Sequence, residues 1–328
     1  MKKILLVGGE GYIGKVIAEK LIKKNYYVYS FDNLLYEQKF SPSKKNFKFI
    51  YGNINNPDDL KKIFKEDFYA MVLLAGLVGD PITKKYPKLA EKANYYGLRN
   101  IINFFYKSKI KRLLFISTCS NYGVIDDKIF AKETHKLSPK SLYAKHKVKM
   151  EEYLLSKKNN KKKCFSILRF ATAYGVSKRM RFDLTVNEFV KDMFFGKRVI
   201  VYESNTWRPY CHVDDFAKVV ELVISSSESK IRNEIFNVGS MENNFSKKII
   251  INKLKRFFPK SKVLFTNIKK DPRNYKVNFE KIKKTFKFQP VSFSNGLAGL
   301  IKFLKENKKM LKNNSNLGNY VINEKTIR

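Results

Sequence analysis

The sequence Ile4-Leu5-Leu6-Val7-Gly8-Gly9-Glu10-Gly11-Tyr12-Ile13-Gly14 joins a short apolar run to a glycine-rich turn near the start of the chain. The apolar run predicts a strand at residues 4–7, and the periodicity after the turn predicts a helix at 12–23. A glycine turn in this context indicates a dinucleotide site. Gly8, Gly11 and Gly14 would provide a tight turn, close approach of the backbone to a pyrophosphate, and close contact between helix and strand. The free amides at the helix N-terminus would bind the phosphates.

Asp32 ends the second predicted strand, eighteen residues after Gly14. A carboxylate at this position can accept hydrogen bonds from both ribose hydroxyls and would repel a 2′-phosphate, so the sequence predicts NAD rather than NADP. Glu10 is an acidic residue beside the predicted pyrophosphate site, and we expect its side chain to point outward.

Short apolar runs alternate with segments of helical periodicity through the first half of the chain. The predicted strands are residues 4–7, 27–31, 47–51, 71–75, 113–117 and 165–169, followed later by 234–238. The predicted helices include 12–23, 87–106 and 143–155. Such alternation predicts an α/β fold, a Rossmann-type doubly wound parallel sheet with helices on both faces.

The regular alternation ends after Gly175, and the later sequence is less regular. We predict an NAD-binding Rossmann domain, a smaller, discontinuous C-terminal substrate-binding domain, and a polar tail that is expected to be loose. Their boundaries are 1–175, with 206–241 returning to it, for the first domain, 176–205 and 242–315 for the second, and 316–328 for the tail.

Lysine and arginine give the chain a formal net charge of +38, from 67 basic and 29 acidic residues. Such a charge can indicate a polyanion-binding protein. The basic residues are dispersed along the whole sequence, however, and no helix-turn-helix, zinc or RNA-binding signature accompanies them. We therefore interpret the charge as compositional bias, and a non-catalytic NAD- or RNA-binding protein is kept only as a remote alternative.

The three cysteines show no paired spacing, which suits a reducing compartment. The apolar runs are too short for a membrane span, and the first one stops at Gly8, too early for an export signal. We therefore expect a cytoplasmic protein with no membrane partner. The three histidines show no metal-binding spacing. No metal site is predicted; His146 is expected to face solvent and His212 to be structural.

A tyrosine and a lysine one helical turn apart, Tyr143 and Lys147, follow the fifth predicted strand. With its ordinary pKa of about 10, a tyrosine is a poor base at neutral pH. A lysine on the same helix face can lower that pKa through its positive charge. A hydroxyl from Ser117-Thr118-Cys119-Ser120, at the strand end, would complete a hydrogen-bond relay. Together with the glycine turn, the pair predicts an enzyme that moves hydride to and from a nicotinamide ring.

Further motifs extend this pattern over roughly the first 300 residues. They are Asp32-Asn33-Leu34, Asn94-x-x-Gly97, Tyr122-Gly123, Leu168-Arg169 and Arg208-Pro209-Tyr210-x-His212-Val213-Asp214-Asp215. With these motifs the chain resembles the extended short-chain dehydrogenases/reductases that act on nucleotide sugars, the NAD-dependent epimerase/dehydratase family, and within it the UDP-glucose 4-epimerase-like enzymes.

The resemblance implies a role for specific residues. The catalytic residues would be Tyr143, Lys147 and Thr118. The cofactor-binding residues would be Gly8, Gly11, Tyr12, Ile13, Gly14, Asp32, Asn33, Asn53, Ile54, Ala75, Gly76, Asn94 and Lys147. The substrate-binding residues would be Thr118, Tyr143, Thr172, Arg179, Arg181, Arg208 and Arg273.

Several of these assignments carry a physical reason or an open alternative. Arg208 and Arg273 match arginines that hold the substrate diphosphate, which guanidinium groups bind bidentately. Arg273 can also be read as a surface charge. Arg179 and Arg181 either lie near the substrate or belong to a solvated loop. The resemblance further implies a homodimer formed by the helices at 87–106 and 142–157.

Departures from the family pattern separate its reactions. Dehydratases carry Asp-Glu directly after the catalytic threonine, and decarboxylases carry an acid at the position of Ser120; this chain has Cys119-Ser120. Cys119 lies one residue before the position of a cysteine base, so its side chain is expected to point away from the sugar. Dehydration is therefore disfavoured, which leaves a nucleotide-sugar 4-epimerase acting through a 4-keto intermediate. The alternative is a nucleotide-sugar 4-dehydrogenase or ketoreductase, with a heptose among its candidate sugars.

Overall fold

The computed structural model describes residues 1–36, 40–266, 268, 271–313 and 317–323. The strands are β1 (Lys3–Val7), β2 (Tyr27–Asp32), β3 (Phe47–Tyr51), β4 (Ala70–Leu73), β5 (Arg112–Thr118), β6 (Phe130–Ala131), β7 (Cys164–Phe170), β8 (Thr172–Tyr174), β9 (Val199–Tyr202), β10 (Trp207–His212), β11 (Glu234–Val238), β12 (Asn244–Ser246), β13 (Val263–Thr266) and β14 (Lys276–Val277). The helices are α1 (Tyr12–Lys23), α2 (Pro57–Ile63), α3 (Asp80–Lys85), α4 (Pro87–Glu91), α5 (Leu98–Lys107), α6 (Leu142–Leu155), α7 (Thr185–Phe194), α8 (Val213–Ser225), α9 (Glu228–Ile231), α10 (Lys247–Lys255), α11 (Glu280–Phe286), α12 (Phe293–Glu306) and α13 (Lys308–Asn313).

A seven-stranded parallel sheet organises the fold, with strand order β11-β7-β5-β4-β1-β2-β3. The order reverses between β1 and β4, and at such a reversal the carboxyl ends of the strands open a crevice for ligands. The predicted α/β, Rossmann-type fold is confirmed, and the seven predicted strands correspond to the seven strands of this sheet.

Both faces of the sheet are covered by apolar side chains. In β1, Ile4 and Leu6 belong to a cluster on one face, while Leu5 and Val7 belong to a cluster on the other, and all four are completely buried. This alternation follows from the two-residue repeat of a strand. Because full burial of such a side chain stabilises the fold by about 1.5–3 kcal/mol, the strand is fixed in its register.

The predicted helix at 87–106 is interrupted. Between α4 and α5 the chain forms a π-helix, Lys92–Gly97. Within it, the fully buried side-chain amide of Asn94 accepts a hydrogen bond from the backbone N–H of Leu77 at 2.7 Å and donates to the Leu77 carbonyl at 2.9 Å. The wider turn therefore holds the loop that follows β4. Short π-helical stretches are often found at functional sites.

A third hydrophobic cluster lies outside the parallel sheet. Its residues come from positions 174–201 and 245–311, together with Tyr210. Two smaller sheets accompany it, one with order β12-β10-β8 and one pairing β13 with β9. Of the described strands in 206–241, β11 joins the parallel sheet, whereas β10 does not. The division into two domains at the stated boundaries stays a prediction.

The C-terminal segment (residues 317–323) makes defined tertiary contacts. The Leu317 carbonyl accepts a hydrogen bond from the Phe182 N–H at 2.8 Å, and the Asn323 N–H donates to the Leu35 carbonyl at 2.7 Å. Ile322 is buried in a small apolar cluster with residues that include Leu35. This differs from the expected loose tail, because Ile322 supplies an apolar anchor that the polar composition concealed. Residues 316 and 324–328 of that tail lie outside the described part of the chain.

Within the described residues, no helix combines the length and apolar character needed to cross a bilayer.

Candidate active site

A cavity of about 650 Å³ opens at the carboxyl ends of the parallel strands. It is lined by residues from the glycine turn, from the ends of β2, β4 and β5, from α6, and from the segments around Arg179, Arg208 and Arg273. Every predicted cofactor and substrate residue except Asn94 is among its lining residues. The structure therefore brings the sequence-predicted residues together, while Asn94 lies behind the loop after β4 and positions it.

The glycine turn has no room for a side chain at Gly8 or at Gly14. Gly8 has φ +84°, and a Cβ on it would lie 2.7 Å from the backbone nitrogen of Ala75. A Cβ on Gly14 would lie 2.6 Å from the Gly9 carbonyl oxygen. The turn is thus pressed against the loop after β4, and the first amides of α1 face the cavity as a phosphate cradle.

Asp32 is held rigidly at the end of β2. Its Oδ1 accepts from the N–H of Leu34 at 2.8 Å, and its Oδ2 accepts from the N–H of Glu10 at 3.0 Å. Burial raises the pKa of Asp32 to about 6, with backbone hydrogen bonds opposing the shift and the nearby Glu10 adding to it. At pH 7 the carboxylate is therefore still mainly ionised and has free lone pairs for two ribose hydroxyls.

Glu10 is completely buried, so the expectation that its side chain points outward is wrong. Its carboxylate accepts from the Ser30 hydroxyl at 2.7 Å and from the Ser41 N–H at 2.7 Å, and it pairs with Nζ of Lys15 at 3.0 Å. Burial is possible because these three partners replace the lost hydration. The charge lies beneath the turn, where it supports the residues around Asp32.

Tyr143 and Lys147 face the cavity from the first turns of α6, which begins after Ser141; the Ser141 hydroxyl accepts from the Ala144 N–H at 3.3 Å. Lys147 is 1% exposed and donates from Nζ to the Ile116 carbonyl of β5 at 2.8 Å. Burial lowers the pKa of Lys147 to about 7, although Glu151 opposes the shift. The ammonium nitrogen lies 5.9 Å from the centre of the Tyr143 ring.

The protein around Tyr143 sets its proton affinity. Burial raises the pKa of Tyr143 well above its ordinary value, the Asp80 carboxylate adds to this, and the Arg181 guanidinium opposes it. A base at this position therefore needs positive charge nearby before it can accept a proton at neutral pH. The Arg181 guanidinium provides such charge, and the Lys147 ammonium lies 5.9 Å from the ring centre on the same helix face.

The end of β5 presents hydroxyls to the cavity. Oγ1 of Thr118 and Oγ of Ser120 lie 2.8 Å apart, and both residues line the cavity. Cys119 between them is buried and does not line it; its thiol donates to the Arg169 carbonyl at 3.2 Å. This is the orientation that the one-residue offset predicts. Burial also raises the pKa of the Cys119 thiol strongly, which disfavours a thiolate base.

A buried polar network beneath these residues was missed by the sequence analysis. Glu151 accepts from the Ser117 hydroxyl at 2.5 Å and from the Asn121 amide at 2.8 Å, and it pairs with the Arg169 guanidinium at 2.6 Å. Arg169 also donates to the Tyr122 hydroxyl at 3.0 Å. The available signal was the position of Glu151, one helical turn after Lys147. The network fixes α6 against β5 and β7.

Two arginines that line the cavity, Arg208 and Arg273, form a chain of ion pairs with Asp271 and Asp80. Nη2 of Arg208 contacts Asp271 at 3.0 Å, and Nη2 of Arg273 contacts Asp271 at 2.5 Å and Asp80 at 2.7 Å. Although burial opposes it, Arg273 holds the pKa of Asp271 far below its usual range. Arg273 is therefore a fixed part of the cavity wall, and the alternative of a mere surface charge does not describe it.

Arg179 and Arg181 line the cavity and do not belong to a solvated loop. Arg181 is buried and donates from Nε to Asp183 at 3.0 Å. The Arg179 guanidinium lies 4.9 Å from the centre of the Tyr36 ring. Burial, assisted by the neighbouring Arg181, lowers the pKa of Arg179 to about 10. Contact of either arginine with the substrate stays a prediction.

The structure contradicts the expectation for His146 and agrees with the expectation for His212. His146 is buried, so the expectation that it faces solvent is wrong, because α6 packs its outer side against α3 and α4. Burial lowers the pKa of His146. His212 precedes α8 and accepts a hydrogen bond from the Asp214 N–H at 3.3 Å, so it has the structural role expected of it.

A comparison with family models matches residues 4–239 to the family described as "NAD dependent epimerase/dehydratase family". The chain belongs to this family. Its cofactor is NAD, which the cradle at Gly8 and Gly14 and the carboxylate of Asp32 fit.

Similar proteins cover most of the chain. Protein CapI of Staphylococcus aureus is 30% identical over 237 residues, covering 69% of this chain and 70% of its own length. A UDP-glucuronate 4-epimerase of Thermodesulfobacterium geofontis is 27% identical over 322 residues, covering 94% and 98%. The crystal structure of a UDP-glucose 4-epimerase with UDP-glucose from Thermotoga maritima has a TM-score of 0.84 at 25% identity, covering 93% and 99%. A nucleotide-sugar decarboxylase is also among the relatives, so family membership alone does not select the reaction.

Proposed function

We propose that the protein is a nucleotide-sugar 4-epimerase. The observation that carries this proposal is the composition of the catalytic wall: Tyr143 and Lys147 line the cavity together with Thr118 and Ser120, while Cys119 is turned away. This wall can move a proton at one carbon. It has no acid pair after Thr118 for eliminating water, and the Asp80 carboxylate, which also belongs to the cavity lining, is paired with Arg273.

Each residue of the catalytic wall has its own role in the proposed reaction. Tyr143 acts as a phenolate that the charge of Lys147 stabilises, and it becomes a neutral phenol when it accepts the proton of the sugar C4 hydroxyl. Thr118 and Ser120 hold the C4 oxygen by hydrogen bonds as it becomes a ketone and then a hydroxyl again. NAD, held by the glycine turn and Asp32, would supply the acceptor for the C4 hydride and the donor for its return to the opposite face of C4. Tyr143 then gives its proton back, so the reaction is an isomerisation.

Arg208 and Arg273 would hold the nucleotide diphosphate, and their ion pairs with Asp271 and Asp80 keep both guanidinium groups in the cavity wall. Two of the similar proteins named above, the UDP-glucuronate 4-epimerase and the UDP-glucose 4-epimerase crystallised with UDP-glucose, have UDP-sugar ligands, so we propose a uridine nucleotide. UDP-glucose and UDP-glucuronate are the first sugars to test.

The experiment is mass spectrometry with isomer-resolving chromatography on UDP-, GDP- and dTDP-sugars, including heptoses, each with and without added NAD. A product of unchanged mass and shifted retention supports the proposal. Loss of two hydrogens with NADH formation would establish the dehydrogenase alternative instead. Loss of water or of carbon dioxide would show that the interpretation of the Cys119-Ser120 position is wrong.

A further inference from the structure

The pyrophosphate of NAD is negatively charged on both phosphates, and the cofactor residues described above offer little positive charge to it. Lys147 is the basic residue among them, but its Nζ is held by the Ile116 carbonyl of β5 at 2.8 Å, beside Tyr143. The amides at the N-terminus of α1 provide only partial positive charge. Asp32, which would hold the adjoining ribose, is an acid. A basic side chain near this end of α1 would therefore stabilise the bound pyrophosphate.

The segment that contains Arg179 is hydrogen-bonded to the first residue of α1, Tyr12. The Tyr12 hydroxyl donates to the Gly175 carbonyl at 2.7 Å, and the Ser177 hydroxyl donates to the Tyr12 carbonyl at 2.7 Å. The N–H of Arg179 then donates to Oγ of Ser177 at 3.3 Å. Because Tyr12 begins the helix whose amides form the phosphate cradle, these bonds fix the backbone of Arg179 near the phosphate-binding end of α1.

The Arg179 side chain lies in the cavity wall near the carboxylate that is expected to hold the ribose. Its guanidinium lies 4.9 Å from the centre of the Tyr36 ring, and its Nη2 donates to Oδ1 of Asn319 at 2.7 Å. Its positive charge acts on Asp32, whose pKa it lowers against the larger effect of burial. Arg179 lines the cavity together with Asp32 and Tyr36 and is only partly buried, so a ligand in the cavity can reach it.

These two contacts correspond to neighbouring groups of NAD, because the pyrophosphate directly adjoins the adenosine ribose. We propose that the Arg179 guanidinium binds the NAD pyrophosphate together with the amides of α1. Arg179 is then a cofactor-binding residue and not the substrate-binding residue that the sequence analysis predicts. The planar guanidinium suits this role, since it binds phosphate oxygens bidentately. This inference rests on NAD as the cofactor and not on the proposed reaction.

Two other basic residues of the same segment provide comparisons. Lys178 does not line the cavity; its side chain is 68% exposed and pairs with Glu19 at 2.7 Å. Arg181 lines the cavity, but its Nε and Nη2 both bind the Asp183 carboxylate. Lys178→Met therefore removes the same charge as Arg179→Met, one position away, without removing a group from the cavity wall.

The test is calorimetric titration of the NAD-free, full-length protein with NAD and, separately, with UDP-glucose. Arg179→Met is expected to weaken NAD binding by about tenfold or more and to leave the UDP-glucose affinity unchanged, because a charged partner of the pyrophosphate is lost. Arg179→Lys is expected to lie between Arg179→Met and the parent protein, because it keeps the charge but loses the planar fork. Lys178→Met is expected to bind both ligands as the parent does.

The salt dependence of NAD binding separates a phosphate contact from a structural role of Arg179. Because salt screens contacts between charges, the NAD affinity of the parent should fall more steeply with added NaCl than that of Arg179→Met. Parent-like NAD affinity in Arg179→Met, an equal loss for UDP-glucose and NAD, or equal salt dependence in parent and variant would each overturn the inference. If UDP-glucose, GDP-mannose and dTDP-glucose all fail to bind the parent, the proposed function is rejected, while the NAD titrations still decide the role of Arg179.

Discussion

Oδ1 of Asn319 accepts a hydrogen bond from Nη2 of Arg179 at 2.7 Å, although 140 residues separate the two in the sequence. The other end of the same amide donates to the Val78 carbonyl at 2.9 Å. One side chain of the C-terminal segment thus connects the loop after β4 with an arginine whose charge acts on Asp32. Asn319 and Tyr320 also line the cavity, so the segment forms part of its wall.

We predict that Asn319→Ala accelerates NAD release by about tenfold, since two hydrogen bonds of about 0.5–1.5 kcal/mol each are lost. The rate is measured by diluting NAD-loaded protein into a scavenger of free NAD and following the bound fraction. Val321→Ala is the matched control, because Val321 belongs to the same segment and is exposed. Equal release rates for both variants would contradict an enclosing role for Asn319.

The parts of the fold that depend on local patterns could be predicted from the sequence. The apolar run of residues 4–7 and the glycines after it fix β1, the turn and α1, because side-chain alternation and the absence of Cβ atoms are properties of the segment itself. The same holds for the spacing of Tyr143 and Lys147, which the helix converts directly into a shared face.

The parts that depend on distant partners could not be predicted. Glu10 is buried because Ser30, Ser41 and Lys15 converge on it, and only the fold brings Ser41 there. The anchoring of Ile322 likewise depends on a pocket made by other segments. Neither arrangement leaves a periodic signal in the sequence.

Replacement of the proposed base gives a direct test of its role. Tyr143→Phe removes one hydroxyl and should retain NAD, which is bound through the glycine turn and Asp32, while turnover falls by about 10²–10⁴-fold. NAD content is measured by absorbance after denaturation, and turnover by the isomer-resolved assay. Turnover at the parent rate would reject Tyr143 as the base.

The predicted homodimer is formed by the helices at 87–106 and 142–157, so a substitution at an exposed residue of these helices tests it. Tyr96 is 54% exposed in this region. Tyr96→Asp is expected to convert a dimer to a monomer, because burying a carboxylate in an interface without a partner is costly. Light scattering coupled to size-exclusion chromatography gives the mass. Tyr51→Asp, at a tyrosine that is similarly exposed on β3, is the control that should keep the parent mass.

Lys147 should make stability depend on pH in a defined window. Its pKa is lowered by burial to about 7 in the folded protein, below its ordinary value of 10.5. Below pH 7 the lysine is charged in both the folded and the unfolded state, and the folded state carries the full free-energy cost of burying the ammonium group. Between pH 7 and about 10.5 the unfolded state binds more protons, so stability rises with pH in this window.

In NAD-free protein, Lys147→Met should therefore melt at a higher temperature than the parent at pH 7, by on the order of 5 °C, and the difference should shrink towards pH 10. Thermal unfolding across this range gives the comparison. The control, Lys145→Met, changes an exposed lysine of the same helix and should show no such trend. A difference that is constant with pH would contradict the assigned cause.

Loss of one partner of the buried pair Glu151–Arg169 should strongly destabilise the protein. Both side chains are buried and separated by 2.6 Å, so Glu151→Ala leaves an uncompensated guanidinium inside the protein. We expect a loss of about 3–5 kcal/mol in the free energy of unfolding, measured by urea titration. The neighbouring Glu152 is exposed, and Glu152→Ala should change stability by less than about 0.5 kcal/mol. The double variant Glu151→Leu with Arg169→Met should recover much of the loss, because the unpaired charge is gone; if it is as unstable as Glu151→Ala, the cost comes from packing around Ser117 and Asn121 and not from the buried charge.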